Sequence, residues 1–581
     1  MTILNSLLTR GYFPKELPPA FFTAQFARYA ATKRGRQVLD QYKPVDNLTD
    51  CVSYRLALPG PERRHLRIPH PASFQHLARL TSQHFRRLLK KAGASPFSKS
   101  RPVYSLGRHR AIQGSVSPPN LARERALARA GASYLLKADV SQFYPSLYTH
   151  AIGWAIDPQL RQRSKWHATK LLGKRLDQAV MDLQGKVSQG LPIGNDVSFL
   201  LAEIVLGQVD RRVSVPRERC YRGFDDYEIA CDSREQAEAA LADLVAALHA
   251  FRLRINPTKT RIVQLPQPSE AEWQRTLRQQ GLGSLQRASE MVQYFDAAFR
   301  LREQFPDSPV LMYALGLLFR LRRPNDDVGR VAQSAITQTL LCEPGAAQKA
   351  FALLTFWRLN GLALDLRLLG HTIERVILQH RSSGLSSDVS WGLAFCLENQ
   401  VSLGARAGSV LSALDDDCMT IQALHAHAQG LLAKGFKTGQ ISKTLRDVDL
   451  DGEHWLLGYE SVRHGFLQAS AAAVGGNALF SDLLRQGVTF YRTRMPPYAS
   501  IIHTGGAPDW IVRMWMDVLQ GKREPKEGDA RGIPALGLVG QDLARLGAME
   551  RPRDDAVADL LDIYGEEEFV TVMAGEEAYF P

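Results

Sequence analysis

Three carboxylates in this chain fall where chemistry is conceivable. Asp139 closes the apolar run Leu135-Leu136-Lys137-Ala138, and Asp225 and Asp226 stand side by side between Arg219-Cys220-Tyr221-Arg222-Gly223-Phe224 and Tyr227-Glu228-Ile229-Ala230-Cys231. A lone Asp at a strand's end is ordinarily a turn former or helix cap, and paired Asp residues between β-prone arms are ordinarily a hairpin turn. Together they ask for more. Three carboxylates gathered by two neighbouring strands repel one another unless divalent cations neutralise them, and hard oxygen ligands favour Mg²⁺ or Mn²⁺. Two such ions are the standard requirement of in-line nucleotidyl transfer, one acidifying an attacking hydroxyl and the other holding a triphosphate and its leaving pyrophosphate.

The elements that must position these groups can be read in outline. Leu135 to Val140 is expected to be a strand, after which Ser141-Gln142-Phe143-Tyr144-Pro145-Ser146 turns the chain towards a helix. Asp225 and Asp226 belong at a hairpin tip. Between them Ser188-Gln189-Gly190-Leu191-Pro192-Ile193-Gly194 forms a Gly/Pro loop that opens into an apolar helix from Phe199 to Val209, where backbone can approach a ligand closely. Ser233-Arg234-Glu235-Gln236 is a capping-box pattern for a helix running to about Ala250, and Leu253 to Thr260 follows. Lys259 in that last segment is either a proton donor to pyrophosphate or a solvated turn lysine. Short apolar runs alternate with amphipathic stretches from Leu135 to about Leu265, which points to α/β or α+β organisation.

At 581 residues the chain exceeds what one hydrophobic core serves. Its charge is unevenly spread: residues 1 to 265 carry 41 Lys/Arg against 21 Asp/Glu, a net +20, and the remainder is −7. Residues 51 to 137 hold 17 basic side chains and only Glu62 and Glu124 as acids, a bias that attracts a polyanion such as nucleic acid. The alternative is a solvated basic surface. Six scattered cysteines without zinc-site spacing fit a reducing, cytoplasmic setting. No apolar run approaches bilayer-spanning length, so no membrane partner is expected.

Beyond about Glu270 apolar residues recur at helical spacing and β-branched runs become rare, the pattern of an all-helical region whose helices stack as a solenoid. Ser386-Ser387-Asp388 and Asp415-Asp416-Asp417 precede apolar helical runs and read as N-caps. The acidic triplet has a rival reading as a cation site, which is disfavoured because consecutive side chains do not converge on one point. His454 and Trp455 read as packing residues.

Taken in order, the four segments around Asp139, Gln189, Asp225 and Lys259 resemble motifs A, B, C and D of the reverse transcriptase palm, spread over about 130 residues. The resemblance implies metal-linked roles for Asp139, Asp225 and Asp226, an aromatic steric gate against a ribose 2′-hydroxyl at Tyr144, and a loop contacting incoming nucleotide and template at Gln189, Gly190 and Pro192. Gly223-Phe224-Asp225-Asp226 departs from the family's usual Tyr-x-Asp-Asp. Lys99, Arg101, Arg108 and Arg110 fall where fingers residues would hold a triphosphate. The Gly11-Tyr12-Phe13-Pro14-Lys15-Glu16-Leu17-Pro18-Pro19 start, the stretch Phe143 to His150 and the helical second half look like the bacterial abortive-infection and defence-associated reverse transcriptases.

That likeness implies an α+β right-hand polymerase: an N-terminal and fingers region over 1–134, a palm over 135–270 and an all-α, HEAT-like region over 271–581. It also implies an RNA-directed DNA polymerase of antiphage defence using Mg²⁺, with Mn²⁺ as substitute, and dNTPs. The product would be DNA, the template RNA or DNA, or absent where a protein hydroxyl primes. Homo-oligomerisation stays open. A templated enzyme of retron or group II intron type is the nearest rival, but the net −7 after residue 265 argues against a large nucleic-acid-binding extension. An RNA-dependent RNA polymerase commonly has a second Asp where Tyr144 stands. A catalytically silent binding scaffold would not need all three carboxylates.

Overall fold

The computed structural model describes residues 2–43, 48–59, 63–105, 110–115, 118–162, 170–280, 285–343, 345–379, 386–413, 415–432 and 435–494. Arg108 and everything beyond residue 494 therefore lie outside the described residues. Among those described, no helix is long and apolar enough to cross a membrane.

Two antiparallel hairpins come first, β1 (Cys51–Ala57) with β2 (Arg63–Pro69), and β3 (Pro102–Tyr104) with β4 (Ile112–Gly114). The central sheet follows, built from β5 (Tyr134–Asp139), β6 (Cys220–Gly223), β7 (Asp226–Cys231) and β8 (Arg261–Gln264) in the order β6-β7-β5-β8, each pair antiparallel. Leu135, Leu136 and Ala138 are buried on β5, the interior strand their run of apolar residues dictates. Helix Arg234–His249 packs on β5, β7 and β8, and the almost wholly apolar helix Asp196–Asp210 packs against it. A helix apolar on nearly every face must be buried, and this one is. Ser233 caps Arg234–His249 as expected by accepting from the Gln236 N–H, while the Gln236 side chain reaches Asp232 rather than closing the box on Ser233.

From Ala288 to Arg485 the described elements are all helices, and they form two layers. Helix Ala288–Gln304 packs on Asp326–Cys342, that helix on Leu366–Gln379, and that on Ala405–Leu411. The other layer runs through Val310–Leu318, Ala347–Leu359, Ser387–Asn399, Asp417–Ala428 and Trp455–Arg463. Each helix touching the next but one is the packing of a solenoid, as its apolar periodicity predicts. Buried acids tie its helix starts together: Glu343 accepts from the Leu311 and Met312 N–H groups at 3.0 and 2.9 Å, and Asp417 from that of Leu457 at 2.9 Å. Asp416 caps its own helix through Met419. Helix Ser387–Asn399 begins where expected, but Ser386 does not cap it, because its hydroxyl is engaged with Asp416 and with β1.

Both ends of the described chain meet. The extended Pro-rich start lies against residues near 490, with Phe22 N–H on the Phe490 carbonyl at 3.0 Å and Arg492 N–H on that of Ala20 at 2.8 Å. Asp482 accepts from Tyr29 and Arg34, each at 2.8 Å. The free edge of β1 is also covered by the helical half: the Arg55 and Ala57 N–H groups donate to the Ser386 and Ser387 hydroxyls, both at 3.0 Å. Hydrogen bonds that would otherwise leave an open sheet edge are satisfied this way.

Candidate active site

The strand register brings Asp139 and Asp226 directly opposite each other across β5 and β7. Directly opposed residues lie roughly 5 Å apart at Cα, so their side chains share one space. Asp225 occupies the two-residue tip between Gly223 and Asp226, and its carbonyl accepts from the Val140 N–H at 3.3 Å. The hairpin tip and strand end expected from sequence are therefore joined into one acidic cleft.

Electrostatics mark the cleft. Burial, then the Asp225 and Asp139 charges, push Asp226 up to about 6, against the opposing pull of Lys259 and Arg125. Burial also raises Asp225, with Asp139 adding to the shift while Arg64 and Lys259 oppose it. Among the described residues no donor from another residue reaches either carboxylate. Asp139 is held instead: Asn256 Nδ2 donates to Oδ1 at 3.0 Å, Lys259 Nζ stands 3.4 Å from Oδ2, and the Asn256 N–H meets the Asp139 carbonyl at 2.7 Å. Lys259, left open between proton donor and solvated lysine, thus lies in the cleft with a partly exposed ammonium.

Hard carboxylate oxygens, two of them with raised proton affinity and no protein donor, are the donor set a Mg²⁺ or Mn²⁺ ion takes. Among the described residues no three acidic, His or Cys side chains already gather around one point, since Asp139 is turned to Asn256 and Lys259. The chemistry of the donors fits the ion, and the three aspartates are the residues that would hold it.

The loop expected to approach a ligand borders the same cleft. Gly190 has φ 92°, a conformation that only glycine adopts without strain, and its N–H donates to Leu147 O at 2.8 Å. Leu191 N–H donates to Tyr144 O at 2.9 Å, and Gln189 bridges to Tyr148, so this loop is stitched to the turn after Asp139. Gln189 is exposed and Tyr144 half-buried. Burial, then Glu203 and Asp225, raises the Tyr144 hydroxyl, so it stays protonated. Pro192 is buried, and its carbonyl accepts from Asn195 Nδ2 at 3.1 Å while Asn195 caps helix Asp196–Asp210. It shapes the loop from behind.

Of the four basic residues singled out for a triphosphate, the three described ones, Lys99, Arg101 and Arg110, are otherwise engaged. Arg110 is turned inward, with Nε 2.6 Å from Asp196 and its other nitrogens on the Phe13 and Gly194 carbonyls. It is one of the four that serves structure, because a buried carboxylate requires a partner. Lys99 pairs with Glu124 at 2.8 Å and Arg101 donates to the Ser95 carbonyl. Arg64, exposed on β2, is the cation whose charge reaches both Asp225 and Tyr144. Position within the basic stretch could have flagged it; only the fold could select it.

A buried ion network behind the hairpin was also not foreseen. Arg222 is fully enclosed, with Nη1 and Nη2 on Glu203 at 3.0 and 3.1 Å and Nε on Asp210 at 2.8 Å. Its Nη1 also donates to the Phe224 carbonyl at 2.6 Å, and the Phe224 N–H donates to Ser100 Oγ at 2.8 Å. Ser98 and Ser100 complete Glu203, while Ser95 and Tyr227 complete Asp210. Phe224 has φ 56° and is 52% exposed, a costly conformation for a bulky residue. The network holds both of its backbone polar groups and so fixes the turn that carries Asp225. Acids inside the apolar helix Asp196–Asp210 were the visible signal.

Residues 68–291 match the family model described as reverse transcriptase (RNA-dependent DNA polymerase), a span that takes in β5 to β8 and the three aspartates. No curated protein matches the chain. Among solved structures, the chain is similar to telomerase from Candida albicans in complex with a fragment of telomeric RNA, at 10% identity, covering 67% of this chain and 65% of that one with a TM-score of 0.26. The match therefore indicates a reverse transcriptase domain, a nucleotidyltransferase unit, over residues 68–291.

Proposed function

We propose that the chain is an RNA-directed DNA polymerase that adds dNTPs to a growing DNA strand at the Asp139, Asp225 and Asp226 cleft, and that it serves bacterial antiphage defence from the cytoplasm. The observation that carries the site is the register pairing of Asp139 with Asp226, beside an Asp225 that no other described residue's donor reaches. Mg²⁺, when bound there, supplies the Lewis acidity that lowers the pKa of the attacking 3′-hydroxyl and offsets charge on the triphosphate. The protein's own groups do the positioning. Asn256 and Lys259 orient Asp139, and the Lys259 ammonium offers a proton to departing pyrophosphate. Arg64 presents a guanidinium fork to the phosphates from β2. Tyr144, neutral and backed by the Gly190 loop, is the wall against a 2′-hydroxyl.

The defence role is supported by the company the cleft keeps: a helical stack that grips the β1–β2 hairpin, in a chain whose motifs resemble the defence-associated enzymes. Six unpaired cysteines support the cytoplasmic setting.

Purified protein with Mg²⁺ or Mn²⁺ and each labelled dNTP or rNTP, with and without a primed RNA template, tests the reading on denaturing gels before and after proteolysis. Incorporation of dNTPs, absent from Asp225→Asn/Asp226→Asn protein, is expected. Label that stays with protein until proteolysis, without added template, supports template-independent synthesis from a protein hydroxyl. Strict dependence on a primed template replaces that part with a templated enzyme of retron or intron type, and a preference for rNTPs overturns the reading.

A further inference from the structure

Away from the carboxylates, arginines and aromatic rings alternate along one face. The Arg252 guanidinium lies 4.3 Å from the Tyr148 ring centre and 5.8 Å from that of Trp154. Arg161 lies 5.1 Å from Trp154 and 4.5 Å from Phe251, and Arg212 lies 5.4 Å from Phe251. These six residues come from separate stretches of sequence, so the fold gathers them.

All three arginines are exposed, and among the described residues none of them forms a salt bridge. Acids close to Arg212 and Arg161 in the chain are engaged elsewhere: Asp210, two residues before Arg212, holds Arg222 Nε at 2.8 Å. Asp157 accepts from Arg87 at 2.6 Å and from the Gly173 N–H at 2.7 Å, while Asp177 meets His150 at 2.6 Å and Lys174 at 3.3 Å. Burial, and then the Arg212 charge, hold Arg161 below the usual guanidinium range. Like charges collected without a counterion cost free energy that a polyanion recovers. The rings hold the guanidinium faces by cation–π attraction, which leaves N–H edges for phosphate oxygens, apart from the Arg161 Nη1 that donates to the Ala250 carbonyl at 3.0 Å.

This face starts at the rim of the cleft. Tyr148 bridges to Gln189, and the carbonyl of Arg254, two residues from Arg252, accepts from the Ser141 N–H at 2.8 Å, two residues after Asp139. A row of cations continuing outward from a polymerising cleft suits a chain of phosphates better than one nucleotide.

We propose that the arginines 252, 161 and 212 form a second binding track that carries a single-stranded stretch of nucleic acid to or from the cleft, held by its phosphates. The inference rests on the polymerase reading. Its chemistry is electrostatic, so its signature is the salt dependence of binding: each lost phosphate contact lowers the slope of log K against log salt by about 0.7 for single strands, and three by about 2.

Full-length wild-type protein and the Arg161→Gln/Arg212→Gln/Arg252→Gln variant are titrated with fluorescent 20-nucleotide single-stranded RNA and DNA across a range of KCl concentrations. Both then extend a minimal primed template lacking a long overhang and one with a long overhang. The expected result is a slope shallower by about 2 and at least tenfold weaker binding of one or both single strands. Long-overhang extension falls, and minimal-template extension stays. The RNA and DNA arms identify which strand uses the track. An Arg161→Lys/Arg212→Lys/Arg252→Lys variant, which keeps the charges, retains most of the slope and guards against a folding defect in the Gln variant. Unchanged affinity and slope in a Gln variant that still extends the minimal template overturn the track. Failure of wild-type protein to extend any primed template fails the templated reading instead.

Discussion

Two of the runs of consecutive aspartates in this molecule meet opposite fates. Asp416 and Asp417 start a helix, where Asp416 accepts from Met419 N–H, and Asp417 accepts from Leu457 N–H and sits 2.7 Å from His454. Asp225 and Asp226 sit on a hairpin tip where no donor from another residue meets them among those described, and Asp139 adds a third charge. The same residue types are thus structural where N–H groups and a cation await them and chemically poised where none do. What distinguishes the two is the supply of donors around them. A helix start offers up to four unpaired N–H groups, and a two-residue hairpin offers almost none.

The comparison is sharpened most by disturbing what stands behind the poised pair. Arg222→Met strands Glu203 and Asp210 without their cation, and breaking a buried ion network of this kind costs about 3–5 kcal/mol. Chemical denaturation is expected to show that loss, and dNTP incorporation should fall even at temperatures where the variant is folded, because the Phe224 carbonyl loses its donor. Full activity in the folded variant would mean that the turn needs no such support.

A smaller effect follows from pH. Asp226, raised to about 6, takes up a proton as pH falls through that value, which removes a ligand charge from the cleft. Incorporation rate is expected to drop by about tenfold per pH unit below 6 under subsaturating Mg²⁺, since one ionisation gates the site. A flat profile from pH 7 to 5 contradicts the assignment of that carboxylate to chemistry.

The structural acids give the smallest change and one of opposite kind. The Asp417 hydrogen bond and charge raise His454 to about 9. A histidine whose folded value is raised contributes stability that is fully present below its unfolded value near 6.5 and is lost as pH rises through the folded one. Melting temperature should therefore decline between pH 6.5 and 9 in wild-type protein. His454→Gln flattens that decline by about 1 kcal/mol and leaves incorporation unaffected. An equal decline in both proteins would place the titration elsewhere.

The acidic cleft was largely legible because it depends on local signals. An apolar strand ending in Asp139, a turn, a Gly/Pro loop and two acids between β-prone arms each follow short-range rules, and the sheet then needs only their pairing. Helix starts at Ser233 and Asp416 were legible for the same reason. What escaped depends on partners distant in sequence. Arg222 meets Glu203 and Asp210 across separate elements, and the docking of Tyr29 and Arg34 on Asp482 spans the chain. Arg110 and Arg64 illustrate the limit within one basic stretch: composition makes them equivalent, but one is turned inward onto Asp196 and the other is exposed on β2, where its charge bears on Asp225.

The most direct test sets the two acidic regions against each other, by measuring dNTP incorporation and thermal melting on Asp225→Asn/Asp226→Asn and on Asp416→Asn/Asp417→Asn. The account predicts that the first variant loses incorporation by at least about 10³-fold with its melting temperature kept or raised, because mutual repulsion is relieved. The second is predicted to melt earlier yet incorporate normally while folded. Incorporation surviving in the first variant, or abolished in a folded second, would contradict it.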